Sequence, residues 1–102
     1  MILLRDIHWL AGLLEGEGSF VKNANSSGGW TPGIYLSTTD RDVAERTARI
    51  LTARVYGPYS VASHPKNKPF YRVHIHSKKG IEWMMTLYTL LGERRRSQVR
   101  SV

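Results

Sequence analysis

Between Asp6 and Glu15 the apolar residues Ile7, Trp9, Leu10, Leu13 and Leu14 recur at helical spacing, and the run closes on Gly16-Glu17-Gly18. That spacing predicts a helix with one buried stripe, begun by Asp6 as N-cap and stopped where two glycines stand close together. Gly12 and Gly16 lie four residues apart, hence on one helix face, with Ala11 beside them. Side chains this small let a second helix backbone approach closely. The acid Glu17 is left at the end of that seam.

The rest of the chain divides by the same logic. Residues 19–25 read as a strand, and a turn-rich stretch from Asn23 to Pro32 leads into a second strand over residues 33–39, where Ile34, Leu36 and Thr38 alternate with Tyr35 and Ser37. Thr39-Asp40-Arg41-Asp42 is a helix-start signal, with Thr39 or Asp40 as cap. The helix is expected to run to about Arg54 on an apolar face of Val43, Ala44, Ala48, Ile50, Leu51 and Val55. A second hairpin follows, with strands over residues 56–62 and 70–76 and a polar turn at residues 64–69. Ile81, Met84, Met85, Leu87, Tyr88, Leu90 and Leu91 give a third helix ending near Gly92, and a basic tail covers residues 93–100. The expectation is one α+β domain over residues 1–102, an αββαββα unit with helices on one face of a four-stranded antiparallel sheet. The other sheet face is left open for function. Trp9, Trp83, Met84 and Met85 are assigned to core or interface packing.

Fifteen Lys and Arg against eight Asp and Glu leave a net charge of +7 on 102 residues, so an anionic partner is implied. Nucleic acid, an acidic membrane surface and an acidic protein all satisfy that charge. The absence of cysteine excludes disulfides, thiolate metal sites and cysteine nucleophiles. Met1-Ile2-Leu3-Leu4 is followed at once by Arg5 and Asp6, too short an apolar run for a signal peptide, and no stretch is long enough for a membrane span. The expected location is the cytoplasm or another interior compartment, organellar or that of a viral host, with no secretion and no membrane partner.

Leu10-Ala11-Gly12-Leu13-Leu14-Glu15-Gly16-Glu17-Gly18 resembles the signature of the LAGLIDADG homing endonucleases across all nine positions, with Glu-Gly-Glu where the consensus has Asp-Ala-Asp. The element order resembles that of the family's single-motif subunit. The resemblance implies a homodimer joined through the motif helices at Leu10, Ala11, Gly12, Leu13 and Gly16, with a saddle-like DNA-binding sheet. It implies site-specific hydrolysis of double-stranded DNA at a long, near-palindromic target, in the service of intron or intein mobility. By the same resemblance Glu17 is the catalytic metal ligand, the Gly16 carbonyl adds a ligand, Glu15 is structural, and Mg²⁺ or Mn²⁺ is the cofactor. A basic residue after the third helix is expected near the active site, and Arg95 is the candidate. Two alternatives stay open: a non-cleaving binder of the same fold, acting as an intron RNA maturase or a transcription regulator, and a basic interaction module.

The fourth strand alternates Tyr71, Val73 and Ile75 with Arg72, His74 and His76, giving one apolar face and one rich in donors, as major-groove readout needs. Stepping by two from Glu17 places Ser19, Val21, Asn23 and Asn25 on the same side, and the second strand adds Tyr35 and Ser37. The loop tip adds Ser26, Ser27 and Trp30. Lys66 and Lys68 in the second turn are placed for phosphate contacts. Asp40 is read as a cap before it is read as a water-positioning group, and a metal site on His74 and His76 is set aside because no third ligand is near in sequence.

Overall fold

A computed structural model describes the whole chain apart from Met1, Asn25 and Pro65. Asn25, one of the expected groove residues, therefore lies outside the described residues. The elements are α1 (Leu4–Glu17), β1 (Gly18–Ala24), β2 (Trp30–Thr38), α2 (Arg41–Leu51), β3 (Tyr56–Tyr59), β4 (Phe70–His76), α3 (Ser77–Leu87), a 3₁₀ turn (Tyr88–Leu90) and α4 (Glu93–Arg100).

The strands form one antiparallel sheet in the order β1-β2-β4-β3. Pleating sends Phe20, Ile34, Leu36, Val73 and Ile75 to one side, where they are buried against Leu10 and Leu14 of α1, Ala44, Ala48, Ile50 and Leu51 of α2, and Trp83, Met84 and Leu87 of α3. Each of these helices therefore buries one stripe on the same sheet face. The α1 and α2 helices are further joined by Arg46, whose guanidinium lies 4.1 Å from the Trp9 ring centroid and 3.7 Å from the Asp6 carboxylate.

Several boundaries differ from those the sequence suggested. Leu3, not Asp6, is the N-cap of α1, while Asp6 sits in the first turn and accepts the Leu3 N–H at 3.3 Å, so its charge faces the positive helix end. The same helix runs on through Gly16 and Glu17, and β1 begins at Gly18 without a turn between them. Helix α2 stops at Thr52, whose φ of 54° is left-handed, rather than near Arg54. Strand β3 is only four residues long, and within it Gly57 adopts a φ of 113°, where a Cβ would come within 2.8 Å of the Phe70 carbonyl oxygen. Pro58 beside it, lacking an N–H, suits an edge strand.

Helix α3 starts four residues before Ile81, directly after β4, and the expected basic tail is helical. Gly92 is the N-cap of α4 and Glu93 occupies its first turn. Met85, expected in a packed position, is 75% exposed.

Candidate nucleic-acid interface and acidic helix end

The face of the sheet away from the helices carries Ser19, Val21 and Asn23 of β1, Tyr35 and Ser37 of β2, and Arg72, His74 and His76 of β4, all half-buried or exposed. Register brings them side by side, with Ser19 opposite Tyr35, Tyr35 opposite His74, and Ser37 opposite Arg72. A ladder of rings crosses three strands. Tyr35 stacks on His74 at 5.3 Å between centroids and 18° between planes, and His74 stacks on Tyr56 at 4.9 Å and 14°. Lower on the same strand pair, the Arg72 guanidinium lies 5.3 Å from the Phe70 ring and 5.4 Å from the Tyr59 ring. Tyr56, Tyr59 and Phe70 were not among the residues singled out in the sequence. The alternation that revealed His74 would have revealed Tyr56 had Gly57-Pro58 not interrupted the pattern.

Within this ladder His74 is held away from its charged form by burial and by the neighbouring His76 and Arg72. Its ring is therefore a neutral donor–acceptor group at pH 7 rather than a cation. In the unfolded chain the same ring has the ordinary value near 6.5, so it takes up a proton before the folded protein does. The stability this neutral ring contributes is complete above that value and declines as pH falls below about 6.5 towards the folded value. A histidine-selective NMR titration is expected to find His74 titrating below 6.5; a midpoint at or above that value would contradict the packing described.

Trp30 departs from its expected place on the loop tip. It belongs to β2, and its side chain lies towards the helices, lining a cavity with Lys22, Pro32, Ile81, Met84 and Met85. Ser26 and Ser27 are exposed between β1 and β2, and Lys66 and Lys68 are exposed in the loop that joins β3 to β4.

The end of α1 points its last acid to the open side. Glu17 is exposed and has no ion pair or hydrogen bond among the described residues. It lines a depression of about 220 Å³ together with Ser37, Thr39, Asp40 and Phe70. Asp40 occupies the N-cap position of α2, yet its side chain makes no cap hydrogen bond, and its own N–H donates to Thr38 Oγ1 at 3.1 Å. Two free carboxylates and the hydroxyls of Ser37, Thr38 and Thr39 around one depression are hard oxygen donors of the kind that hold Mg²⁺ or Mn²⁺. No group of three His, Cys, Asp or Glu that could enclose a metal exists among the described residues.

Glu15 and Arg95 have a different environment. The Glu15 carboxylate accepts the Gly92 N–H, and Arg95 Nε donates to the Glu15 carbonyl oxygen at 2.9 Å. Arg95 Nη1 donates to Gln98 Oε1 at 3.0 Å, and the residue is only 8% exposed. The guanidinium expected beside the reacting phosphate is thus committed to clamping α4 onto the end of α1. Arg95 and the apolar Val99 and Val102, which pack against the core, hold the tail to the rest of the fold.

Along α1, Leu10 and Ala11 are buried in the subunit's own core and are unavailable to a second chain. Gly12 and Gly16 are exposed and Leu13 is half-buried, so the open strip of the helix is narrower than the set of residues expected to form an interface. A Cβ built on Gly12 or Gly16 would meet nothing within 4 Å.

A helix-backed sheet with an open, donor-rich face and an acidic helix end is an architecture that solved structures share. The I-CvuI homing endonuclease in complex with the I-CreI target is similar over 96% of this chain and 65% of its own, with a TM-score of 0.67 at 14% identity. I-AabMI, a LAGLIDADG meganuclease bound to uncleaved DNA, is similar over 92% of this chain and 33% of its own, with a TM-score of 0.67 at 14% identity. The archaeal intron-encoded homing endonuclease I-Vdi141I, complexed with DNA, matches 93% of this chain and 63% of its own, with a TM-score of 0.62 at 17% identity. The present chain thus spans less than two thirds of each of these proteins. Comparison with curated protein sequences gives no match. The family's sequence model, described as a LAGLIDADG-like domain, matches residues 6–87, and the chain belongs to that family. Among the described residues no helix is long and apolar enough to cross a membrane.

Proposed function

We propose that this chain is one subunit of a homodimeric endonuclease that hydrolyses both strands of duplex DNA at a long, near-palindromic target with Mg²⁺ or Mn²⁺ bound. The observation that carries the reading is Glu17, a free and exposed carboxylate at the end of a helix whose Gly12 and Gly16 leave an open, side-chain-free strip. Glycine in a helix interior costs about 0.5–1 kcal/mol relative to alanine. Nothing in the subunit requires either glycine, so close approach by the same helix of a second copy supplies the reason for both.

A two-fold contact along that strip brings two Glu17 carboxylates together beneath two sheet faces. Glu17 and the Gly16 carbonyl would hold a divalent ion, which would supply neutralisation of phosphate charge and a lowered pKa for an attacking water. The chain's own residues do the rest. The sheet face takes the major groove, Arg72 and the neutral His74 meet base edges, and Lys66 and Lys68 meet phosphates, fixing register. A two-fold protein on a two-fold duplex makes the target nearly palindromic. The related structures support this placement because their own descriptions are of DNA complexes, including one of I-CvuI in the presence of calcium.

The test is cleavage of a randomised duplex library with Mg²⁺, with an EDTA control, followed by sequencing of the ends. Defined ends at near-palindromic sites, lost in EDTA, are the expected result. Enrichment of bound duplex without new ends would replace the endonuclease reading with that of a non-cleaving regulator or an intron RNA maturase.

A further inference from the structure

The ladder between β3 and β4 stops early. Tyr56 is the first residue of β3 and pairs with Arg72, while the chain before it turns away towards α2. Beyond that pair, the stretch of β4 from His74 to His76 has no strand beside it on the β3 side, although β2 pairs with its other side. The result is a notch of about 300 Å³ at the sheet edge, lined by Arg54, Tyr56, His74, His76 and Lys79.

Among the described residues, every titratable group lining this notch is basic or a phenol, and none is a carboxylate. Arg54 is exposed and has no ion-pair partner among the described residues. The Lys79 ammonium donates to the Thr52 carbonyl oxygen at the end of α2, a contact that fixes its position and leaves its charge uncompensated. His74 Nδ1 is the one buried side-chain polar atom among the described residues with no hydrogen-bond partner. A buried ring nitrogen left unpaired is unfavourable, and a ligand that brings a partner removes that cost.

We propose that this notch binds a backbone phosphodiester of the DNA duplex, with Arg54 as the principal contact and Lys79 and His76 beside it. The inference rests on the reading of the sheet face as the duplex-binding surface. Four strands at about 4.8 Å spacing make a sheet roughly 14 Å across, slightly wider than a major groove of about 12 Å. With the strands running along the groove, the outer strand β3 lies against a phosphate backbone, and the notch opens at its end. Arginine's planar fork matches two phosphate oxygens, so Arg54 holds the duplex in register without reading its sequence.

The experiment measures binding of a random-sequence duplex, long enough to span the dimer, in EDTA across a salt series. Wild type is compared with Arg54→Gln, Arg54→Gln/Lys79→Gln and the charge-matched control Arg49→Gln on exposed α2. Because Arg54 makes no contact that the fold depends on, its variant keeps the structure even if loss of Lys79 loosens α3. The slope of log Kobs against log salt is expected to become shallower by about 0.9 per subunit in Arg54→Gln, to become shallower still in Arg54→Gln/Lys79→Gln, and to stay at the wild-type value in Arg49→Gln. An unchanged slope in Arg54→Gln, or an equal fall in Arg49→Gln, would overturn the notch as a phosphate site while leaving duplex binding intact. Absence of duplex binding by the wild-type protein would instead overturn the DNA reading itself, and the notch with it.

Discussion

Glu17→Gln is expected to leave duplex binding within a few-fold of wild type and to slow cleavage by a factor on the order of 10³ or more, about 4 kcal/mol of lost transition-state stabilisation. The substitution keeps the shape of the side chain and removes its charge. Because Glu17 is exposed and has no ion pair or hydrogen bond among the described residues, none of theirs is lost with that charge. What disappears, in both copies at once, is the anionic oxygen that attracts a divalent ion to the end of α1. Binding without metal should if anything tighten, since two negative charges are withdrawn from the neighbourhood of phosphates. Single-turnover cleavage of a selected site, beside anisotropy in EDTA, separates the two quantities. Undiminished cleavage by the variant would remove Glu17 from the chemistry and with it the main support for the endonuclease reading.

Most of the scaffold was legible because it obeys simple periods. Strand β4 runs over Phe70–His76, the span read for it, and the alternation of Tyr71, Val73 and Ile75 with Arg72, His74 and His76 divides its two faces. The outward set on β1 and β2 followed from the same period of two. The failures have local causes. Helix α3 opens on Ser77-Lys78-Lys79-Gly80, which has no apolar stripe, and Ser77 takes a left-handed φ of 62°, so nothing in the pattern marks the passage from strand to helix. In α4 the buried residue is Arg95, and the partner that ties it to α1, Glu15, lies 80 positions upstream, beyond the reach of any periodicity.

The site was legible in part for the same reasons. A motif names Glu17, but it cannot tell that Asp40 shares its depression, because that proximity is made by the β2–α2 junction. Nor does a helical pattern distinguish residues buried against their own sheet from residues facing a second copy. Leu10, Ala11, Gly12, Leu13 and Gly16 all looked alike as a seam of apolar and small groups. Burial divides them: the first two belong to the core, and the open strip runs through the two glycines. Arg54 and Lys79 carry no signal in the sequence beyond their charge, since only the early end of β3 brings them to one notch.

That division makes Gly12→Leu a test with two opposite signs. In the isolated subunit, Gly12 is an exposed position inside a helix with open space where a side chain would go. Leucine there should stabilise the fold by somewhat under about 1 kcal/mol, the difference in helix propensity. At a seam where two helix backbones meet, the same four carbons have no room, and overpacking costs about 1–3 kcal/mol for each copy. Symmetry doubles the penalty, so the dimerisation constant should weaken by between about 30-fold and 10⁴-fold. Sedimentation across a concentration series reads the association, and urea unfolding of the dilute protein reads the subunit. A weaker dimer made of a more stable subunit is the result expected of a glycine kept for its partner. An unchanged dimer would move the interface off α1, and the two Glu17 carboxylates would then have no route to a shared site.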